Sequence, residues 1–198
     1  LYGPTGRPFN YGDSAENAAA RPWIATWLCG LHGNPGIPAV AAGAKMAVGS
    51  SYFGQAGHYM YYNPHAAGDG TPDSMEFALA GGIAASVRSG WGKEDLYVAV
   101  KGGDNRDLHG QLDIGSFVLE AGGVRWGLEL GMESDRAPGL EVKPGGDRTK
   151  RYELFLEGTA GQNTLSFGEN QELDARAGVL LGQSTPEQGL AVVDMTKA

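Results

Sequence analysis

The stretch Asn105-Arg-Asp-Leu-His109-Gly-Gln-Leu-Asp113-Ile-Gly-Ser-Phe-Val-Leu119 decides how this chain is read. It sets a histidine in a polar, glycine-bearing loop that opens a run reading as a buried strand, Leu112 to Leu119. A Gly122-Gly123 turn follows, then a second apolar run, Val124-Arg-Trp-Gly-Leu-Glu129-Leu130. Two such runs joined by Gly-Gly predict a β-hairpin. Loops carried by a rigid sheet are where chemistry concentrates, which makes His109 the first candidate functional residue.

Outward from this hairpin, short apolar or alternating runs recur at residues 83–87, 96–100, 152–156, 164–167 and 190–193, separated by Gly, Asp, Asn and Pro. With the hairpin strands they make seven, which predicts an antiparallel β-sandwich over residues 76–198, short of strands at its C-terminal end. Before residue 76 the pattern differs. Asp13-Ser14 can cap a short alanine-rich turn, and Pro22 suits the first position of a helix whose Trp23, Ile24, Trp27 and Leu28 make one stripe. Gly30 would stop that helix, and a second is predicted from about Pro38 to Val48. Residues 49–75, rich in glycine and tyrosine, read as a linker. The expected organisation is thus a helical hairpin with aromatic linker, residues 1–75, followed by the sandwich: α+β, mainly β.

Thirty-three glycines without a three-residue period fit many tight turns. Fifteen Lys and Arg against 23 Asp and Glu give a formal charge of −8, with no basic run, so nucleic acid is not an expected partner. Cys29 is the single cysteine, which excludes an intramolecular disulfide, and its apolar setting reads as packing. No run of 18 apolar residues predicts a membrane span. The start at Leu1, with no charged and apolar leader, reads as a mature form or an excised piece.

The central stretch resembles the heparinase II/III-like polysaccharide lyases, in which His-x-His-Leu-Asp-x-Gly-Ser-Phe opens the β-sandwich domain. Lys101-Gly-Gly-Asp104-Asn105, Gly161-Gln162-Asn163-Thr164-Leu165 and Phe9-Asn10-Tyr11-Gly12-Asp13 stand in the order that family would place them. The resemblance covers roughly residues 1–195. It implies the end of an α/α toroid joined to most of a sandwich, an anionic, uronate-containing polysaccharide or oligosaccharide as substrate, and a periplasmic or secreted location. The family's catalytic tyrosine and carboxylate-neutralising residue would precede residue 1, so this stretch alone is expected to have little or no activity.

Cleavage of such a polymer by β-elimination needs a base for the C5 proton, a partner for the carboxylate and an acid for the leaving oxygen. A positioned imidazole suits the first or last task, and the resemblance assigns His109 there as general base or acid. Asp104, Asn105 and Arg106 can bond hydroxyls and a carboxylate, arginine bidentately; read alone they are an exposed turn. The resemblance puts Tyr11 and Asp13 near substrate, where the bland alternative is a capped helix start with a packed tyrosine. Arg148, Arg151 and Tyr152 fall where the family has a basic, aromatic strand near the cleft, and read alone they are the solvated face of an alternating strand. Asp113 is read as holding the loop through backbone N–H groups.

In the family two histidines and an acid can hold a structural zinc; here Gln111, Glu129 and Gln162 stand at those positions. Amide oxygens suit zinc poorly, so no cofactor is expected. The three are expected to form a hydrogen-bonded cluster, with calcium as the alternative. His32, at a predicted helix end, can interact with the helix dipole, while His58 and His65 receive no role. The rival to a lyase is a non-catalytic carbohydrate-binding or structural sandwich. No motif specifies oligomeric state or which uronate polymer is taken.

Overall fold

A computed structural model describes residues 2–15, 76–78, 82–134, 137, 149–185 and 187–198. All belong to one compact unit built from Leu1–Glu16 and Met75–Ala198. The expected helices, the aromatic linker, Cys29, His32, His58, His65 and Arg148 lie outside the described residues.

The unit is antiparallel β-structure. Its largest sheet orders five strands as β1 (Glu76–Ala78), β2 (Ala84–Arg88), β3 (Tyr97–Lys101), β5 and β6, with β4 (Gly103–Asp104) branching off between β3 and β5 (Phe117–Ala121) and with β6 (Val124–Gly127) at the edge. Every neighbouring pair is antiparallel. The β5–β6 hairpin closes through Gly122 and Gly123 at φ 59° and 72°, the two successive positive values that a two-residue turn of this hand demands.

Alternation sets the inward face. Tyr97, Ala99 and Lys101 are the buried members of β3 and Val118 and Glu120 those of β5, and the register puts Tyr97 opposite Glu120 and Ala99 opposite Val118. Phe9, from the N-terminal segment, completes this cluster. β2 is buried at all five positions, as expected of a strand covered on both faces. One cover is the hairpin of β8 (Val179–Ser184) and β9 (Gly189–Val193): Ser184 Oγ donates to the Arg88 carbonyl at 3.0 Å, and a Cβ on Gly189 would stand 2.9 Å from Val87 Cβ. A second apolar cluster gathers Ile114, Ala175 and Ala177 with Val193, Met195 and Ala198. The short strand β7 (Arg176–Ala177) pairs with β4 beside it. The predicted antiparallel sandwich is the architecture found.

Several boundaries differ. The expected strand at 112–119 starts only at Phe117, because Gly115 takes φ 80° and Ser116 N–H closes a turn on the Asp113 carbonyl at 3.0 Å. The run at 124–130 leaves the sheet after Gly127. Residues 152–156 are no strand: Thr149–Glu153 is a 3₁₀ helix, and Leu154 and Glu157 N–H close turns on the carbonyls of Arg151 and Leu154. Residues 164–167 are irregular, since Asn163 and Thr164 spend their side chains on the carbonyls of Phe117 and Ile114, each at 2.6 Å. Strands β1, β4, β7 and β8 were not predicted.

Candidate functional site

The N-terminal segment is what builds the site, and three buried charges fasten it. Glu120 accepts Arg125 Nε at 2.7 Å and Thr5 N–H at 2.8 Å, while Arg125 donates onward to the carbonyls of Pro8 and Arg7 at 2.9 and 3.0 Å. Arg88 donates to the Tyr2 carbonyl at 2.9 Å and lies over the Trp91 and Tyr97 rings. The segment then runs inward: Phe9 enters the core, and Asn10 Nδ2 donates to the Glu129 carbonyl at 3.0 Å. Tyr11 packs edge-on to Phe9 at 5.1 Å, half-buried, with Lys101 Nζ 5.9 Å from its ring. Burial, then the nearby Asp113 charge, push the Tyr11 phenol above its ordinary pKa.

Gly12 makes the approach to the histidine loop. Its N–H donates to Asp113 Oδ2 at 2.9 Å, while Asp113 Oδ1 is ion-paired with the buried Lys101. At φ 60°, Gly12 lies so close that a Cβ there would stand 2.8 Å from the His109 carbonyl. Asp13 N–H donates to that same carbonyl at 3.0 Å. The turn delivers the Asp13 carboxylate to His109; the helix it was expected to cap lies outside the described residues.

His109 is the one non-glycine with positive φ, 64°, among the described residues. Asp107 N–H and Gly110 N–H close successive turns on the carbonyls of Asp104 and Asp107 around it. Its side chain is 72% exposed, and Nδ1 lies 3.1 Å from Asp13 Oδ2. A neutral ring donating from Nδ1 to the carboxylate presents an unprotonated Nε2. This is an exposed imidazole with its tautomer chosen for it.

Behind Asp13 lies a chain of charges. Arg151 Nη2 donates to Asp13 Oδ1 at 2.6 Å, and the guanidinium also grips Glu157 Oε2, with Nε at 3.0 Å. The Arg151 side chain is 6% exposed and that of Glu157 wholly buried. Burial pulls the guanidinium pKa down, but Glu157 and Asp13 outweigh it and the net shift is upward. Gln111 Nε2 faces Asp13 Oδ1 at 3.3 Å and Glu157 Oε1 at 3.5 Å, and Gln162 Nε2 donates to Gln111 Oε1 at 3.2 Å and to the Leu156 carbonyl at 2.7 Å. Asp13, Gln111 and Gln162 were legible in the sequence; Arg151 read as part of a solvated face, and no pattern marked Glu157.

Glu129 does not join the two glutamines. Its Oε1 accepts Leu130 N–H at 3.1 Å, and burial, opposed chiefly by the Ser116 hydroxyl, lifts its carboxyl to about 7. Gln111 and Gln162 have turned amide N–H groups toward oxygen acceptors and Gln111 has its oxygen engaged, so these residues do not fit a zinc ion. Among the described residues, no group of three or more His, Cys, Asp or Glu stands close enough to hold a metal.

The other expected contacts divide. Arg106 is exposed but folds back on Asp104, with Nε and Nη2 each at 3.3 Å from its carboxylate; Arg176 Nε pairs with the same group at 2.7 Å. Asn105 was expected to meet sugar and is instead fully buried, donating to Gln171 Oε1 at 3.2 Å and the Glu172 carbonyl at 2.9 Å. It supports the loop from inside. Tyr152 Oη donates to the Asn105 carbonyl at 3.3 Å, tying the 3₁₀ helix to the same loop.

No protein-family model matches the sequence, and no curated relative does either. Solved structures do match. The heparan sulfate lyase HepC from Pedobacter heparinus superposes with a TM-score of 0.64 at 17% identity, over 100% of this chain and 27% of that one. A heparinase III gene product gives a TM-score of 0.60 at 16% identity, over 100% and 27%. A further heparinase III gives 0.56 at 16%, over 95% and 26%. The fold is shared with heparan sulfate lyases. The chain spans about a quarter of the length of those lyases. At these identities the likeness concerns the fold alone.

Proposed function

We propose that the protein carrying this chain is a polysaccharide lyase that cleaves uronate-containing glycans of the glycosaminoglycan class by β-elimination, with His109 transferring the proton. The observation that carries the reading is the dyad: an exposed imidazole whose Nδ1 is held by Asp13 at 3.1 Å, on a fold shared with heparan sulfate lyases. With Nδ1 committed to the carboxylate, Nε2 is the nitrogen that trades a proton with substrate, as base at C5 or as acid at the departing oxygen. A uronate carboxylate stores the negative charge that develops when the C5 proton leaves. Arg106, three residues before His109 in the same loop and exposed, is the cation assigned to that carboxylate, exchanging its Asp104 contact for the substrate's. Tyr11 and Tyr152 flank the loop as candidate sugar contacts, and Asp104 as a hydroxyl acceptor. The reading carries a periplasmic or secreted location with it.

The test is turnover of uronate polymers by the protein carrying this chain, followed through its unsaturated product. His109→Gln should lower kcat by about 100- to 10,000-fold, with KM within about threefold. Asp13→Asn should cost about 10- to 100-fold, as loss of a ring-orienting partner does. Saturable binding of the polymer with no product, unaffected by His109→Gln, would replace the lyase by a carbohydrate-binding module.

A further inference from the structure

The buried end of the charge chain has no access to a sugar, yet its geometry decides what the exposed end can do. Glu157 is wholly buried and fixed from both sides: Oε1 accepts Glu133 N–H at 3.3 Å and faces Gln111 Nε2, its own carbonyl accepts Leu112 N–H at 3.1 Å, and Oε2 takes the Nε side of Arg151. A guanidinium meets a carboxylate best two-pronged, through two parallel N–H groups. Glu157 Oε2 takes both groups of the Nε–Nη2 edge, and Nη2, shared between the two carboxylates, is the group by which Arg151 reaches Asp13, at Oδ1. Gln111 Nε2 faces the same oxygen. Oδ1 is thereby held by the interior and Oδ2 is left for His109 Nδ1 at 3.1 Å.

We propose that Glu157, acting through Arg151, is a positioning residue that keeps Asp13 one-pronged and so sets the tautomer of His109. Glu157 touches neither imidazole nor solvent. Replacing its carboxylate by an amide frees the Nε edge of Arg151, and Asp13, now the guanidinium's one anionic partner among the described residues, rotates into the two-pronged grip and leaves the ring. Gln111 belongs to the same device: its amide orientation is set by the Gln162 donor, and its N–H groups face the two carboxylates.

The inference takes its functional meaning from the lyase reading, but its test does not need turnover. In chain labelled with ¹⁵N-histidine, with His109 assigned by the loss of its signals in His109→Gln, the ring resonances report which nitrogen carries the proton. Wild type should be dominated by the Nδ1–H form. Glu157→Gln should shift the ratio of Nδ1–H to Nε2–H at least about threefold toward Nε2–H, the form favoured in free imidazole side chains, and Asp13→Asn marks the full effect. Arg151→Lys, which keeps the charge but has no two-pronged edge, covers the case in which Glu157→Gln does not fold; it too should loosen Asp13 and move the ratio the same way. Either variant, folded by its amide spectrum and with a wild-type ring, overturns the proposal. In the turnover assay Glu157→Gln should lower kcat about tenfold with KM unchanged. A shifted ring in a protein that turns over no uronate polymer upholds the positioning role and sinks the lyase reading.

Discussion

Of the buried arginines that grip the N-terminal segment, Arg125 and Arg151 each pair with a buried glutamate, and they end differently. Arg125, its side chain 2% exposed, answers to Glu120 and to the carbonyls of Arg7 and Pro8, and that knot ends on backbone. Arg151 also answers to a buried glutamate, but through Asp13 its chain reaches an imidazole in water. Both knots pair a desolvated cation with a carboxylate that could not be left alone. Beyond its own ion pair, the first spends its hydrogen bonds on holding backbone; the second keeps one carboxylate oxygen for an exposed side chain. A closed knot fastens, whereas an open-ended one orients.

The contrast breaks most sharply at Glu120. Glu120→Ala strands the Arg125 guanidinium and should cost about 3–5 kcal/mol of unfolding free energy in urea titrations, because a buried charge without its partner is expensive. If the two knots act separately, a double variant with Asp13→Asn should show additive losses; strong coupling would mean that the segment moves as one piece.

Glu129 adds a pH dependence that neither knot needs. Its carboxyl is raised from 4.5 to about 7 by burial, so the folded state holds a proton that the unfolded state has released. Stability is then full below about pH 4.5 and falls as pH rises toward 7, by on the order of 3 kcal/mol at most. Glu129→Gln should flatten that slope in melting temperature measured from pH 5 to 8. An unchanged slope would place the responsible group elsewhere.

Smaller effects test the junction itself. Gly12→Ala meets both φ 60° and the His109 carbonyl 2.8 Å from the new Cβ, and should cost about 1–3 kcal/mol while displacing Asp13. A loss confined to stability, with the His109 ring undisturbed, would show that the segment can shift without carrying its carboxylate along. His109→Gly should change stability by less than about 1 kcal/mol, since relief at φ 64° offsets the lost contact with Asp13. The same substitution should abolish turnover.

The sheet was legible because its inner strands obey alternation: Tyr97 to Lys101 points every second residue inward, and the Gly122-Gly123 turn declares its hairpin. β8 was not, because Val179-Leu-Leu-Gly-Gln-Ser184 keeps Leu180 and Leu181 exposed and interrupts its pattern with glycine. The stretch at 112–116 is apolar enough for a strand, yet Leu112 and Ile114 are buried as turn residues flanking Asp113. His109 was found from its loop setting, and Asp13 from a motif. Their meeting across 96 residues, and that of Asp13 with Arg151 across 138, were not written in any local pattern. A charged residue read alone belongs on the surface; Arg151 and Glu157 are inside because each supplies the other's missing solvent.

The left-handed backbone at position 109 also has an evolutionary reading. Glycine fits that conformation at no steric cost and asparagine at little, so a library selected for folding alone should drift away from histidine there. Selection on the chemistry should hold the imidazole in place against that drift. Sequencing both pools after a few rounds would turn one torsion angle into a measure of what the protein is for.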